Sequence, residues 1–168
     1  MIRLQDIIDN LLKQYEGYFN IERSHMFGGR EAVAYARFEQ RMAKYVLVKR
    51  AQMYAYETNE HVFFVFEDHL DNLKWEFEKK RIIEAEKDYV QPHKEHMYSY
   101  MTLVLLANTI DESVKKEIKK LRYTKNYRWS LHGYSTVRVA AAELSSEEVF
   151  ANVRGKELQK VLDTALHM

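Results

Sequence analysis

The sequence lacks the residues on which several large classes of chemistry depend. It has no cysteine among 168 residues, which excludes disulfides, zinc–thiolate sites, iron–sulfur clusters and thiol catalysis. One proline and five glycines provide few breaks, and no Gly-rich phosphate loop, repeat or linker divides the chain. The longest nearly apolar run, residues 97–107, is about half as long as a membrane-spanning helix. We therefore expect a single cytoplasmic domain over residues 1–168, with no cofactor and no membrane contact.

The composition is that of a folded domain with no strong overall charge. Aromatic residues make up 13% of the chain, including 12 tyrosines, and disordered chains are poor in such residues. The formal net charge is +1, so any attraction to nucleic acid has to come from a local patch.

Hydrophobic periodicity predicts an α-βββ-α-β-α-ββ-α order of elements. The turns expected at 40–41 and 58–60 are short, which favours antiparallel neighbours, so the fold class is α/β with a mixed, largely antiparallel sheet flanked by helices. The predicted helices cover 4–15, 67–89, 109–121 with a capping box from Thr109 to Glu112, and a last helix from Gly155. The six predicted strands cover 32–39, 44–57, 61–66, 97–106, 127–131 and 136–144, and 148–153 is a candidate for an additional returning hairpin strand.

The start of this order is similar to that of the PD-(D/E)xK nuclease-like fold. Such enzymes carry an acid on one strand and an acid-x-lysine motif on the next, where the carboxylates hold a metal ion. The acid-x-lysine triplets here, 78–80 and 117–119, fall in predicted helices, and neither Glu39 nor Glu57 has a lysine two residues on. The likeness in element order therefore implies nothing about activity.

The segment from Gln91 to His96 is the densest group of candidate metal ligands. In a helical turn, His93 and His96 would share one face, with Glu95 between them. The spacing matches no zincin motif, and the alternative is a polar connection after Pro92. The strand that follows is rich in hydroxyl groups, which either line a pocket or satisfy buried carbonyls: Tyr98, Ser99, Tyr100 and Thr102.

A basic and aromatic segment at 115–129 is the candidate nucleic-acid site. Its cations would contact phosphates and its aromatic rings would stack on bases. The alternative is that the cations form only the solvated face of a short helix. The candidate residues are Lys115, Lys116, Lys119, Lys120, Arg122, Lys125, Arg128, Tyr123, Tyr127 and Trp129.

Two further features suggest surface roles. Lys44, Lys49 and Arg50 form a second basic group, although alternation along a strand separates their side chains. Trp75 lies off the apolar stripe of its helix, so it either forms a self-association surface or folds back over the sheet.

Four stretches of the sequence resemble a family of small bacterial proteins of unknown function. They are 44–51, 53–57, 92–102 and 154–157, and the resemblance extends from about Leu11 to Lys160. It implies one domain of bacterial origin and no particular activity. We therefore expect a binding module, acting as a small homo-oligomer and contacting nucleic acid, with a metal-dependent phosphodiesterase or nuclease-like hydrolase using His93, Glu95 and His96 as the alternative.

Overall fold

The computed structural model describes residues 4–45 and 52–168, with side chains for 4–42 and 56–168. Within these ranges the helices are α1 (Leu4–Tyr15), α2 (Asn72–Tyr89), α3 (Glu112–Lys120) and α4 (Leu158–His167), with a short 3₁₀ turn at Val153–Gly155. The strands are β1 (Asn20–Phe27), β2 (Arg30–Tyr45), β3 (Gln52–Leu70), β4 (His96–Ile110), β5 (Thr124–Asn126), β6 (Tyr134–Glu143) and β7 (Glu148–Ala151). The predicted basic group at Lys44, Lys49 and Arg50 lies outside the described side chains.

The described strands form one mixed sheet in the order β1-β2-β3-β4-β6-β5, with β7 also paired to β6. Neighbours joined by short turns run antiparallel, as in β1–β2 and β6–β7. The pairs β3–β4 and β4–β6 are parallel, because α2 and α3 lie in the connections between them. The predicted fold class is therefore confirmed.

Helices cover both faces of the sheet. On one face, α2 and α3 pack through Ile82 and Ile118 against a core that includes Phe63 and Leu103. On the other, α1 and α4 pack through Leu11 and Leu162 against the intervening residues of the same strands, such as Phe64. We call these the α2 face and the α1 face. Because consecutive strand residues point to opposite faces, the covered middle of each central strand is apolar on both sides, at 62–66 in β3 and 103–107 in β4.

Three predictions about the first strands are wrong. Strand β1 is missing from the predicted strands, because its side chains are mostly polar and exposed at the edge of the sheet. The turns predicted at 40–41 and 58–60 lie inside β2 and β3, and Thr58 and Asn59 are buried. The polar residues at 58–60 have the composition of a turn, but in the fold they face a polar part of the interior.

Two further local predictions are corrected, and the structure decides between the two alternatives for Trp75. Helix α3 begins at Glu112, and Thr109 belongs to β4 with its hydroxyl 2.6 Å from Nδ1 of His69, so the capping box is wrong. Residues 127–131 form a turn instead of a strand. Trp75 is fully buried against the sheet, which leaves it no part in self-association.

The edge strands are short or irregular. Strand β5 has three residues and β7 has four. In β1, Ser24 has a φ of 58°, and the pairing with β2 passes from Arg23 to His25 without it. The pairs on both sides of Ser24 follow the same alignment, so Ser24 interrupts the ladder without shifting its register. No helix in the described residues is long and apolar enough to cross a membrane.

Candidate nucleic-acid interface

Three tyrosines stack on one another on the α1 face. The ring of Tyr98 lies 4.6 Å from that of Tyr100 on the same strand, with an interplanar angle of 26°. It lies 5.8 Å from the ring of Tyr134 on β6, at 28°. All three side chains are half-buried, so each ring is held in place by its neighbours and still reaches solvent. We call Tyr98, Tyr100 and Tyr134 the tyrosine surface.

The position of the tyrosine surface follows from the alternation of side chains along β4 and β6. On β4, Tyr98 and Tyr100 share a face with Val104, and Tyr134 shares that face with Ala140 on β6. Helices α1 and α4 pack on the end of the face where Val104 and Ala140 belong to the buried core. The tyrosines lie at the other end, beyond that core.

A cationic cavity adjoins the tyrosine surface. It has a volume of about 590 Å³ and is lined by Tyr100, Thr136, Arg138, Val153, Arg154, Lys156 and Glu157. Arg154 and Lys156 are exposed on the connection between β7 and α4. Their charges are therefore available to an anionic ligand at this end of the sheet.

Arg138 forms the buried wall of this cavity. Its guanidinium lies 4.7 Å from the centre of the Tyr100 ring and donates to Glu157 at 2.7 Å. It is also 3.4 Å from Glu60, whose pKa is raised by burial in spite of this pairing. Among the described residues, Nε of Arg138 has no hydrogen-bond partner. Because two carboxylates neutralise Arg138, the accessible positive charge comes from Arg154 and Lys156.

The predicted basic segment is divided between the interior and the surface. Lys115 is only 4% exposed, and its ammonium lies 2.8 Å from Glu143, 2.5 Å from Glu148 and 3.1 Å from Glu112. Burial opposes its charge, but these carboxylates hold the pKa of Lys115 above its usual value. Lys115 therefore stabilises the packing of α3 against β6 and β7.

Two more residues of that segment are held by a buried carboxylate. Glu86 accepts hydrogen bonds from Lys125 at 3.0 Å and from the hydroxyl of Tyr127 at 2.8 Å. Tyr123 is half-buried against the core of the α2 face. The remaining side chains face solvent: Lys116, Lys119, Lys120, Arg122, Arg128 and Trp129. The segment is thus not one continuous surface, and nucleic-acid binding by its exposed part stays a prediction.

The histidine run is a connection leading into β4. His96 is buried, with Nδ1 2.6 Å from the carbonyl of His132 and Nε2 2.8 Å from the hydroxyl of Ser99. Burial lowers the pKa of His96, although the His132 carbonyl opposes this shift. Glu95 pairs with Arg41 at 2.8 Å, and Nε2 of His93 lies 3.3 Å from Glu57. Each candidate ligand therefore already has a protein partner.

Within residues 4–45 and 52–168, no group of three or more histidine, aspartate or glutamate side chains is arranged to hold a metal ion. The acid-x-lysine triplets lie in α2 and α3, as predicted. Metal binding by the histidine run stays a prediction.

A polar cavity lies on the α2 face, with a volume of about 220 Å³. It is lined by Tyr35, Arg37, Glu57, Asn59, His61, Asp88, Tyr89 and Gln91. Nδ1 of His61 lies 2.7 Å from the hydroxyl of Tyr35. Burial, assisted by the charge of Arg37, lowers the pKa of His61 to about 4.

The pKa of His61 predicts how stability depends on pH. The unfolded chain binds a proton at His61 below about pH 6.5, whereas the folded protein binds it only below about pH 4. The contribution of neutral His61 to the free energy of unfolding is therefore present above pH 6.5 and is lost as the pH falls to 4. The loss due to this residue is about 3 kcal/mol. Urea unfolding of the wild type and of His61→Gln at pH 7.5, 5.5 and 4.5 measures it. We expect the wild type to lose more stability than the variant, and parallel losses would contradict the prediction.

The comparisons with known proteins identify a family but no activity. No curated protein and no solved structure matches the chain. The predicted resemblance to a family without an assigned activity is confirmed, whereas bacterial origin and the nuclease-like fold stay predictions. The match covers residues 3–164, and the chain therefore belongs to the family described as a domain of unknown function, DUF8052.

Proposed function

We propose that this domain binds single-stranded nucleic acid on the tyrosine surface. The observation that carries the proposal is the near-parallel stacking of Tyr98 on both Tyr100 and Tyr134 where the α1 face is accessible. Nucleobases stack on aromatic side chains with about 1–3 kcal/mol per base, and a sheet that carries aromatic rings is a common platform for this contact.

The cationic cavity supplies the second part of the interface. Arg154 and Lys156 border Tyr100, so a strand whose bases lie on the tyrosine surface can place a phosphate near their charges. Arg138 packs over the Tyr100 ring and holds it in position. One region of the α1 face can therefore contact both the bases and the phosphates.

The chemistry of the surface favours single strands over duplexes. Stacking on tyrosine needs an unpaired base, and a duplex hides the faces of its bases. The accessible charge is small, so simple attraction to a duplex backbone is weak. The domain would then act through binding, without catalysing a reaction.

Fluorescence anisotropy with a labelled oligothymidine of 16 nucleotides and a labelled 16-base-pair duplex tests the proposal. We expect the single strand to bind more tightly than the duplex at low salt. Affinity for the single strand should fall modestly with salt, since two phosphate contacts predict a slope of about −1.4 in a plot of log K against log salt. The absence of binding at low salt, or a preference for the duplex, would contradict the proposal.

A pair of double variants distinguishes this surface from the basic segment. Arg154→Gln with Lys156→Gln should remove most of the salt dependence, because both side chains border the cavity. Lys119→Ala with Arg122→Ala is the matched control, since it also removes two exposed cations. If only the second pair changes the slope, nucleic acid binds the basic segment and the tyrosine surface is the wrong site.

The alternative function, a metal-dependent hydrolase using His93, Glu95 and His96, has weaker support. It requires His96 to give up the two hydrogen bonds that its ring makes in the fold. Homo-oligomer formation stays a prediction.

A further inference from the structure

The turn between β5 and β6 has an unusual backbone. Arg128, Trp129 and Ser130 have φ values of 44°, 52° and 69°, so three consecutive residues are left-handed without any of them being glycine. This conformation is energetically unfavourable for residues that have a Cβ atom, and in most proteins it is found only at single residues. Strained segments of this kind cluster at functional sites.

The turn is held in this shape from both ends. At its start, the hydroxyl of Tyr127 bonds to Glu86 and lies 2.8 Å from Ser135. At its end, the carbonyl of His132 accepts a hydrogen bond from His96. Main-chain hydrogen bonds also close the turn, from His132 to Tyr127 and from Tyr127 to Gly133. The strain is therefore imposed by well-packed surroundings.

This rigid turn presents apolar side chains to water. The side chain of Trp129 is 97% exposed and that of Leu131 is 75% exposed. A large aromatic ring on a fixed backbone loses little conformational entropy when it binds, which makes it a suitable anchor for a ligand.

The turn lies at the end of the tyrosine surface that is farther from the cationic cavity. Gly133 ends the turn and Tyr134 begins β6, which runs on to Thr136 and Arg138 in the cavity wall. The rise along a strand places Tyr134 and Arg138 about 13 Å apart. A ligand that follows β6 from the cavity therefore meets the tyrosines first and the turn next.

We infer that Trp129 stacks on a base of the same single strand and extends the binding site past the tyrosine surface. The inference rests on the proposed function, and it adds a requirement for strand length. Short oligonucleotides reach from the cavity to the tyrosines, whereas longer ones also engage Trp129.

The two tryptophans of the chain make the contact directly observable. Trp75 is fully buried and Trp129 is exposed, so quenching of fluorescence by an oligonucleotide that stacks on tryptophan reports on Trp129. Oligothymidines of 4, 8, 12 and 16 nucleotides are titrated into the wild type, Trp129→Ala and Trp129→Phe, with quenching measured on the wild type and anisotropy on all three.

We expect the wild type to bind the longer oligonucleotides more tightly and to be quenched by them. Trp129→Ala should bind the longer oligonucleotides about 5- to 100-fold more weakly, because one stacked base is lost. It should bind the shortest oligonucleotide as tightly as the wild type does. Trp129→Phe should keep most of the affinity, because its ring still stacks. Equal affinities of the wild type and Trp129→Ala at every length, without quenching, would overturn this inference alone. If no oligonucleotide binds the wild type, the proposed function itself fails.

Discussion

Replacing Tyr98 and Tyr134 together with alanine is expected to weaken binding of a 16-nucleotide oligothymidine by about 30-fold or more. Each ring supplies one stacking contact of about 1–3 kcal/mol, and 1.4 kcal/mol corresponds to a tenfold change in affinity. The Tyr98→Phe, Tyr134→Phe double variant keeps both rings and should bind nearly as the wild type does. Anisotropy titrations at one salt concentration measure the three affinities.

Two controls separate loss of the site from loss of the fold. Phe77→Ala removes an exposed aromatic ring from α2, on the opposite side of the sheet, and should leave the affinity unchanged. Thermal unfolding of each variant checks that the sheet is intact at the titration temperature. Equal affinities of the alanine double variant and the wild type would show that the tyrosine surface does not bind the strand.

Gly133→Ala is expected to destabilise the fold by about 3 kcal/mol or more. Gly133 has a φ of 74°, and a Cβ atom there would overlap the carbonyl oxygens of Met97 and His96, which belong to the main chain and have little room to move. The variant therefore incurs both backbone strain and overpacking. For a chain of this length, 3 kcal/mol corresponds to a fall in Tm of roughly 6–12 °C.

Gly29→Ala is the matched control for this substitution. Its φ of 79° is nearly the same, but nothing lies within 4 Å of the added Cβ. Only the backbone strain remains, about 1–2 kcal/mol. Urea unfolding of both variants compares the two costs. Equal losses would mean that the contact of Gly133 with the start of β4 contributes nothing.

The elements predicted most accurately are those with a strong hydrophobic pattern. The spacing of Ile7, Ile8 and Leu11 identifies α1, whose buried residues match the predicted stripe. The apolar runs at 62–66 and 97–106 identify the two central strands, because a strand covered on both faces has no polar side to obscure the signal.

The elements predicted least accurately bury charge or expose polar side chains. Helix α2 buries Glu78 and Arg81 as an ion pair at 2.5 Å, so its buried side is not an apolar stripe and the sequence could not decide between the two alternatives for Trp75. The sequence pattern around Lys115 is that of a solvated cation, because two of its three carboxylate partners lie about 30 residues away in sequence. Such pairings are set by the tertiary fold and leave no local pattern.

The tyrosine surface could be predicted only in part. The hydroxyl-rich strand containing Tyr98 and Tyr100 indicated either a pocket or satisfied carbonyls. That Tyr134 lies beside Tyr98 depends on the parallel register of β4 and β6, which are joined by more than twenty residues. The position of Arg154 and Lys156 depends in turn on the path of the chain after β7.

The left-handed residue Ser24 and its charged neighbours affect how the protein behaves at high concentration. A strand from a second molecule that approached β1 would need a straight row of free amide and carbonyl groups. It would instead meet the left-handed backbone at Ser24 and the exposed charges of Glu22 and Arg23. Natural proteins place charged side chains on edge strands to prevent edge-to-edge aggregation. Strand β1 therefore protects its edge of the sheet from the growth of intermolecular β-structure.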